Sequence, residues 1–221
     1  MKSMKKISLL HTVRTVYESF AENLREVMPG VELEIMNTVD EFLAADANIN
    51  GFTQENKNRM LHILQAKDLE RADIIVVTCS TLTPVTEEIR PLLKTPLVAI
   101  DDEMAELAVR AGERIVLMAT AASTLEPGTR KLHTEAAKIG RELKLERVHC
   151  PAAYDAIRQM DRETHDKILL EAAKSIKDAD AIVLAQASMA HMEKNIEAVS
   201  GIKTFSSPRL CFERIKRMLG V

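Results

Sequence analysis

The chain has 221 residues, 46% hydrophobic and 29% charged, with a formal net charge of −3, which is the balance of a soluble globular protein of one large or two small domains. The lack of a basic run, zero Trp and 3% aromatic residues argue against nucleic acid as a partner, and no apolar stretch approaches the ~20 residues of a membrane span. Three cysteines, an odd number without CxxC spacing, point to a reducing cytoplasm and away from disulfides or a thiolate metal site.

The start, Met1-Lys2-Ser3-Met4-Lys5-Lys6, is basic, but the apolar stretch after it ends at His11, too short for a signal-peptide core. Residues 6–10 read as a first strand, and His11-Thr12-Val13-Arg14 as the loop after it. Val16, Phe20, Leu24 and Val27 recur at helical spacing until Pro29-Gly30. Val31, Leu33 and Ile35 alternate with Glu32 and Glu34, a strand nearer an edge. Residues 46–53, DANINGFT, read as a turn-rich loop placed to cover a site, and Thr53 as the cap of the following helix. Next comes Ile74-Ile75-Val76-Val77, an unbroken β-branched run that predicts a strand buried on both faces. It ends abruptly in Thr78-Cys79-Ser80-Thr81. A helix over about 84–93, a strand at 97–100 and a helix from Asp101-Asp102 to Gly112 follow.

The pattern then begins again, with strands at 114–120, 145–149, 181–184 and 203–205. Helices are predicted over 126–143, 161–176 and 189–199, and Pro208 opens a last one. Strands alternating with helices mean parallel α/β sheets. The halves repeat at nearly one offset: Ile7, Leu9 and Thr12 fall on Ile115, Leu117 and Thr120 (115 − 7 = 108), and Ala72, Asp73, Ile75 and Val76 on Ala179, Asp180, Ile182 and Val183 (179 − 72 = 107). The expected fold is therefore α/β with two pseudo-symmetric halves, each a parallel sheet flanked by helices. The halves are residues 1–100, with 206–221 packing back on them, and 101–205. A site in the cleft between them would bring strand ends 79 and 186 together, and the residue at 186 is Gln186.

Open α/β sheets bind ligands at the carboxyl ends of their strands, which is where Cys79 falls. A thiol titrates near ~8.5, and neighbouring N–H groups or a helix N-terminus lower that. Cys79 therefore reads either as an acid/base group or nucleophile, or as a small buried hydrophobe. Cys150 and Cys211 read as packing residues. His11 reads as a substrate-binding group or as a solvated loop histidine. His149 and His191 are weaker candidates, and His62, His133 and His165 read as surface residues. No pair of histidines has metal-ligand spacing with a carboxylate nearby in sequence, so no metal is predicted. Seven glycines leave little room for a phosphate loop. Gln186 cannot exchange protons as a thiol does, but its amide can donate to a carboxylate or pair with backbone.

Val77-Thr78-Cys79-Ser80-Thr81 and Val183-Leu184-Ala185-Gln186-Ala187-Ser188-Met189-Ala190 resemble the strand-end motifs of the aspartate/glutamate/hydantoin racemase superfamily. His11-Thr12-Val13, Ala119-Thr120 through Thr124, and His149-Cys150-Pro151 fit as well. The resemblance implies cofactor-free proton transfer at the α-carbon of a small carboxylate substrate, with one cysteine per half flanking that carbon. It implies catalytic roles for Cys79 and Gln186, and substrate contacts from His11, Thr12, Ser80, Thr81, Thr120, Ser123, Thr124 and Ser188. It also implies a cytoplasmic homo-oligomer. The chain departs from the pattern at Gln186, where the family usually has its second cysteine, and at Ala185, where it usually has glycine. Three functions follow as expectations: an isomerase with Cys79 as its lone thiol, a one-cysteine decarboxylase of malonate-like diacids, or a ligand-binding relative that has lost the chemistry.

Overall fold

The computed structural model describes residues 4–221, the Thr15 side chain excepted; residues 1–3 of the basic start lie outside the described residues. The chain divides into two compact units, Met1–Ile100 with Cys211–Val221, and Asp101–Leu210. No helix among the described residues is long and apolar enough to cross a membrane.

The first unit contains β1 (Lys5–His11), α1 (Arg14–Val27), β2 (Leu33–Val39), α2 (Glu41–Asn50), α3 (Gln54–Asp68), β3 (Ile74–Val77), α4 (Thr83–Ile89) and β4 (Leu97–Ala99). Its four strands are all parallel, in the order β2-β1-β3-β4. All four β3 side chains are fully buried, because successive residues point to opposite faces and helices cover both. Ile75 and Val77 pack with Leu10, Met60, Leu64 and Val85 on one face. Each such burial is worth about 1.5–3 kcal/mol, so this run anchors the unit.

Residues 46–50 are helical, contrary to the loop expected over 46–53. The Asp40 side chain caps α2 by accepting from the Leu43 N–H at 3.3 Å. The Asn56 side-chain amide, on α3, donates to the Leu43 carbonyl at 3.1 Å and to Asp46 at 2.9 Å. These ties hold a segment whose composition alone favours a turn. What remains as a connection is 51–53, with Gly51 at φ 71°, and Thr53 caps α3 as expected, accepting from the Asn56 N–H at 3.1 Å.

The second unit contains α5 (Asp102–Ala111), β5 (Arg114–Ala119), α6 (Leu125–Lys138), β6 (Lys144–His149), α7 (Pro151–Arg158), α8 (Arg162–Ser175), β7 (Ala181–Leu184), α9 (Glu193–Ser200) and β8 (Thr204–Ser206); α10 (Ser207–Leu219) crosses the boundary between the units. Its strand order, β6-β5-β7-β8, repeats that of the first unit. The register repeats too: Ile7 pairs with Ile74 in one sheet, and Ile115 with Ala181 in the other. The two units are pseudo-symmetric halves.

Two details differ from expectation. Helix α6 stops at Lys138, short of residue 143, and the chain turns at Gly140 with φ 66°. Helix α7 is new; Pro151 sits in its first turn, where a missing N–H costs nothing. Gly112 ends α5 as expected, in extended backbone at φ 174°. A glycine is needed there because an added Cβ would lie 2.2 Å from the Asp180 Cβ. Asp180 in turn accepts from the Glu113 and Arg114 N–H groups, both at 2.9 Å, and pairs with the Arg114 guanidinium. Elsewhere, the fully buried Lys131 ammonium joins α6 to α5 through Asp102 and bonds Glu135 at 2.7 Å. In the first unit, Phe20 of α1 meets Phe212 of α10 edge-on at 4.8 Å.

Gly112→Ala forces the α5–β5 corner away from Asp180, so we expect a loss of about 1–3 kcal/mol. Thermal or denaturant unfolding checks it: an unchanged midpoint would mean that the corner adjusts freely.

Candidate active site at the strand ends

Cys79 lies two residues beyond the end of β3 (79 − 77 = 2) and Gln186 two beyond the end of β7 (186 − 184 = 2). Both are extended, at φ −125°, ψ 113° and φ −130°, ψ 136°, and each caps a short 3₁₀ turn, Ser80–Leu82 or Ala187–Met192. The two residues therefore hold equivalent places in the two units, as the offset of 107 predicts.

In the first unit the strand end is tightly tied. The Thr78 N–H donates to the Leu10 carbonyl at 3.0 Å, joining β3 to β1. The Thr78 hydroxyl lies 2.8 Å from His11 Nδ1, and His11 Nε2 lies 3.1 Å from Asn37 Oδ1. An amide oxygen only accepts, so Nε2 carries the proton; the one hydrogen of the Thr78 hydroxyl lies between His11 Nδ1 and the Leu10 carbonyl, the latter at 3.2 Å. His11 is the last residue of β1 and fully buried, with Tyr17 and Phe20 edge-on to its ring. That corrects the loop placement: the imidazole is fully buried and contacts Thr78, the residue before Cys79. Burial pushes its pKa below 6.5, Lys67 adds to that shift, and the Asn37 bond opposes it.

Of the three cysteines, Cys79 alone is partly exposed; Cys150 and Cys211 are buried, and burial pushes the Cys150 thiol up. Cys79 packs partly on the α2–α3–α4 core. Its carbonyl accepts from the Leu82 N–H at 3.0 Å, which closes the turn holding half-buried Ser80 and buried Thr81. The first N–H groups of such a turn have no carbonyl within it to donate to. At the end of β1, the Thr12 hydroxyl is buried without a hydrogen-bond partner among the described residues. An orphaned buried hydroxyl costs about 1–3 kcal/mol, which an ordered water, an ion or a functional role can explain.

The second unit fills the corresponding place from within. Gln186 Oε1 accepts from the Thr120 N–H at 2.7 Å, the Ala121 N–H at 3.0 Å and the Thr120 hydroxyl at 3.0 Å. Three donors converging on one oxygen are what a substrate carboxylate or an oxyanion needs. Here the protein's own amide oxygen takes them, which is the backbone-pairing reading of Gln186. The same bonds fix the amide's orientation and turn the Nε2 donor end away from the nest. His149 Nε2 lies 3.2 Å from the Thr120 carbonyl and steadies the same loop. Ser123 is half-buried, the Thr124 hydroxyl bonds the Ala121 carbonyl at 2.9 Å, and Ser188 is exposed, its carbonyl facing His191. Thr120 and Thr124 are thus occupied by internal bonds. Nothing in the sequence pairs Thr120 with Gln186, since the two lie 66 residues apart.

Repeated parallel halves with a polar strand end in each define a class of α/β enzyme folds. A family model described as Asp/Glu/Hydantoin racemase matches residues 10–214, and the chain belongs to that family. No curated protein sequence matches it. Among solved structures it is similar to the Picrophilus torridus aspartate racemase, with TM-score 0.70, 15% identity, and coverage of 98% of this chain and 94% of that one. It is also similar to allantoin racemase from Klebsiella pneumoniae, with TM-score 0.66, 17% identity, and coverage of 98% and 88%. An unliganded arylmalonate decarboxylase follows, with TM-score 0.58, 12% identity, and coverage of 99% and 94%. At these identities the likeness is one of fold.

A histidine held neutral in the fold binds fewer protons than its unfolded form near pH 6.5, so stability rises with pH there. The His11 contribution is fully present above pH 6.5 and is lost as pH falls through its lowered folded-state value. The His11 ring resonances should therefore titrate below pH 6.5 by NMR. A midpoint at or above 6.5 would contradict the buried neutral ring.

Proposed function

We propose that this chain is a cofactor-independent isomerase acting at the α-carbon of a small carboxylate, with Cys79 as its single acid/base thiol. The observation that carries this reading is the placement of Cys79, the one partly exposed cysteine, at the end of a strand buried on both faces. The Cys79 thiolate takes the α-proton, and the electron pair left on carbon spreads into the carboxylate. The orphaned Thr12 hydroxyl and the first N–H groups of the Ser80–Leu82 turn stabilise the developing negative charge. Gln186 contributes its Nε2 amide, which orients the substrate and neither takes nor gives a proton. The proton that returns to the opposite face comes from another group or from water; in the latter case the hydroxide left behind takes the proton held by Cys79. Ser123 and Ser188 complete the binding surface. The protein works as a cytoplasmic homo-oligomer, as the family resemblance implies.

Incubation in deuterium oxide with a panel of amino and hydroxy acids tests this. We expect solvent deuterium at the α-carbon of one of them, and a loss of about 10²–10⁴-fold in Cys79→Ala, the usual share of a general acid/base. Gln186→Cys, which places a second thiol at the equivalent strand end, should raise the rate of stereochemical inversion relative to exchange. Carbon dioxide release from substituted malonates would favour a decarboxylase instead. A Cys79→Ala protein unchanged in every property would leave only a binding role.

A further inference from the structure

The histidines of the second unit are not all surface groups. His165 is almost completely buried on α8 and lies next to Asp166, while His191, 26 residues on (191 − 165 = 26), sits in the turn before α9. The chain folds so that His165 Nδ1 and His191 Nε2 approach the same carboxylate oxygen, Asp166 Oδ1, at 2.7 and 2.8 Å. The two rings stack with centroids 5.9 Å apart and 25° between planes.

The protons do not balance in a neutral cluster. His191 Nδ1 lies 3.0 Å from the Ser188 carbonyl oxygen, which only accepts, so Nδ1 carries the hydrogen. A neutral imidazole has one N–H, so Nε2 presents a lone pair to a carboxylate oxygen that is itself an acceptor. Two acceptors 2.8 Å apart require a cation, either an added proton on His191 or a metal ion. A metal serves every edge at once: it takes the lone pairs of both imidazoles and the carboxylate. The carbonyl behind His191 is then the outer-shell acceptor that metal-binding histidines almost always have.

We propose that His165, Asp166 and His191 form a binding site for a divalent transition-metal ion of the zinc type. All three ligand atoms lie within 4.8 Å of one another. Bond lengths of about 2.0–2.2 Å to nitrogen and oxygen require both contacts to open by a fraction of an ångström, through shifts of the partly exposed Asp166 and His191 side chains. Two imidazoles and a carboxylate suit zinc, with a fourth position left for water. The side chains of Asp166 and His191 are both 28% exposed, which leaves the ion a way in. The Arg162 guanidinium, 4.0 Å from Asp166 Oδ2 on a largely exposed side chain, is free to swing aside. Sequence spacing does not reveal this cluster, because its three side chains come from two separate segments.

The chelator-stripped full chain should bind one equivalent of Zn(II) by calorimetry, and Co(II) should give a visible spectrum without thiolate charge transfer. His191→Ala and Asp166→Asn should each weaken binding at least about tenfold, while His62→Ala, on an exposed position of the first unit, should leave it unchanged. His191 is exposed, so its truncation should preserve folding, which circular dichroism checks. Absence of stoichiometric binding, as a merely protonated His191 would give, overturns the proposal. So does binding that survives His191→Ala.

Discussion

A parallel strand buried on both faces cannot leave its sheet without a partner for every backbone group it strands at the exit. That constraint shapes both halves. At the end of β3 the debt is met by bonds from Thr78 to β1 and by the 3₁₀ turn that closes on the Cys79 carbonyl. At the end of β7 the chain turns through Gln186, whose side chain reaches back to satisfy the N–H groups of Thr120 and Ala121. One solution leaves a thiol partly exposed, and the other consumes an oxygen acceptor. The two units differ at equivalent strand ends because they finish the same strand in these two ways.

The buried histidine is the clearest example of indirect action. His11 is locked between Thr78 and Asn37 and ringed by Tyr17 and Phe20. Its neutral form keeps Nδ1 an acceptor beside the Thr78 hydroxyl, which lies one residue from Cys79 and also reaches the Leu10 carbonyl. Charging it would turn that acceptor into a donor and put an uncompensated cation in the core near the buried Lys67. The polar end of β1 thereby adjoins the thiol's strand end, and the Thr12 hydroxyl beside it is buried without a partner among the described residues.

Much of the scaffold was legible because burial leaves a pattern in the residues themselves. Ile74 to Val77 and Ala181 to Leu184 are short apolar runs with one structural meaning, and their spacing exposes the repeat. Helix α2 was illegible because Asp46, Asn48, Asn50 and Gly51 locally favour turns, and the ties that make it helical come from Asp40 and Asn56 outside the segment. Cys79 was legible from its polar setting at a strand end. The bonds of Gln186 and the His165–Asp166–His191 cluster were not, since their partners meet only after the sheet and helices assemble. His165 reads as a surface residue for the same reason: its burial comes only when α8 packs against α7 and α9.

The central claim is that one thiol does the proton chemistry while the amide in the equivalent place only holds the substrate. A crystal structure of the protein with a small dicarboxylate tests it most directly. The account predicts a ligand whose α-carbon lies against Cys79 Sγ, with one carboxylate oxygen on Thr12 Oγ1 or the Ser80–Leu82 turn and Gln186 Nε2 donating to the ligand. Gln186 Oε1 should keep its bonds to Thr120 and Ala121. A ligand bound away from Cys79, or one that displaces Gln186 from its nest and leaves the thiol untouched, would contradict it.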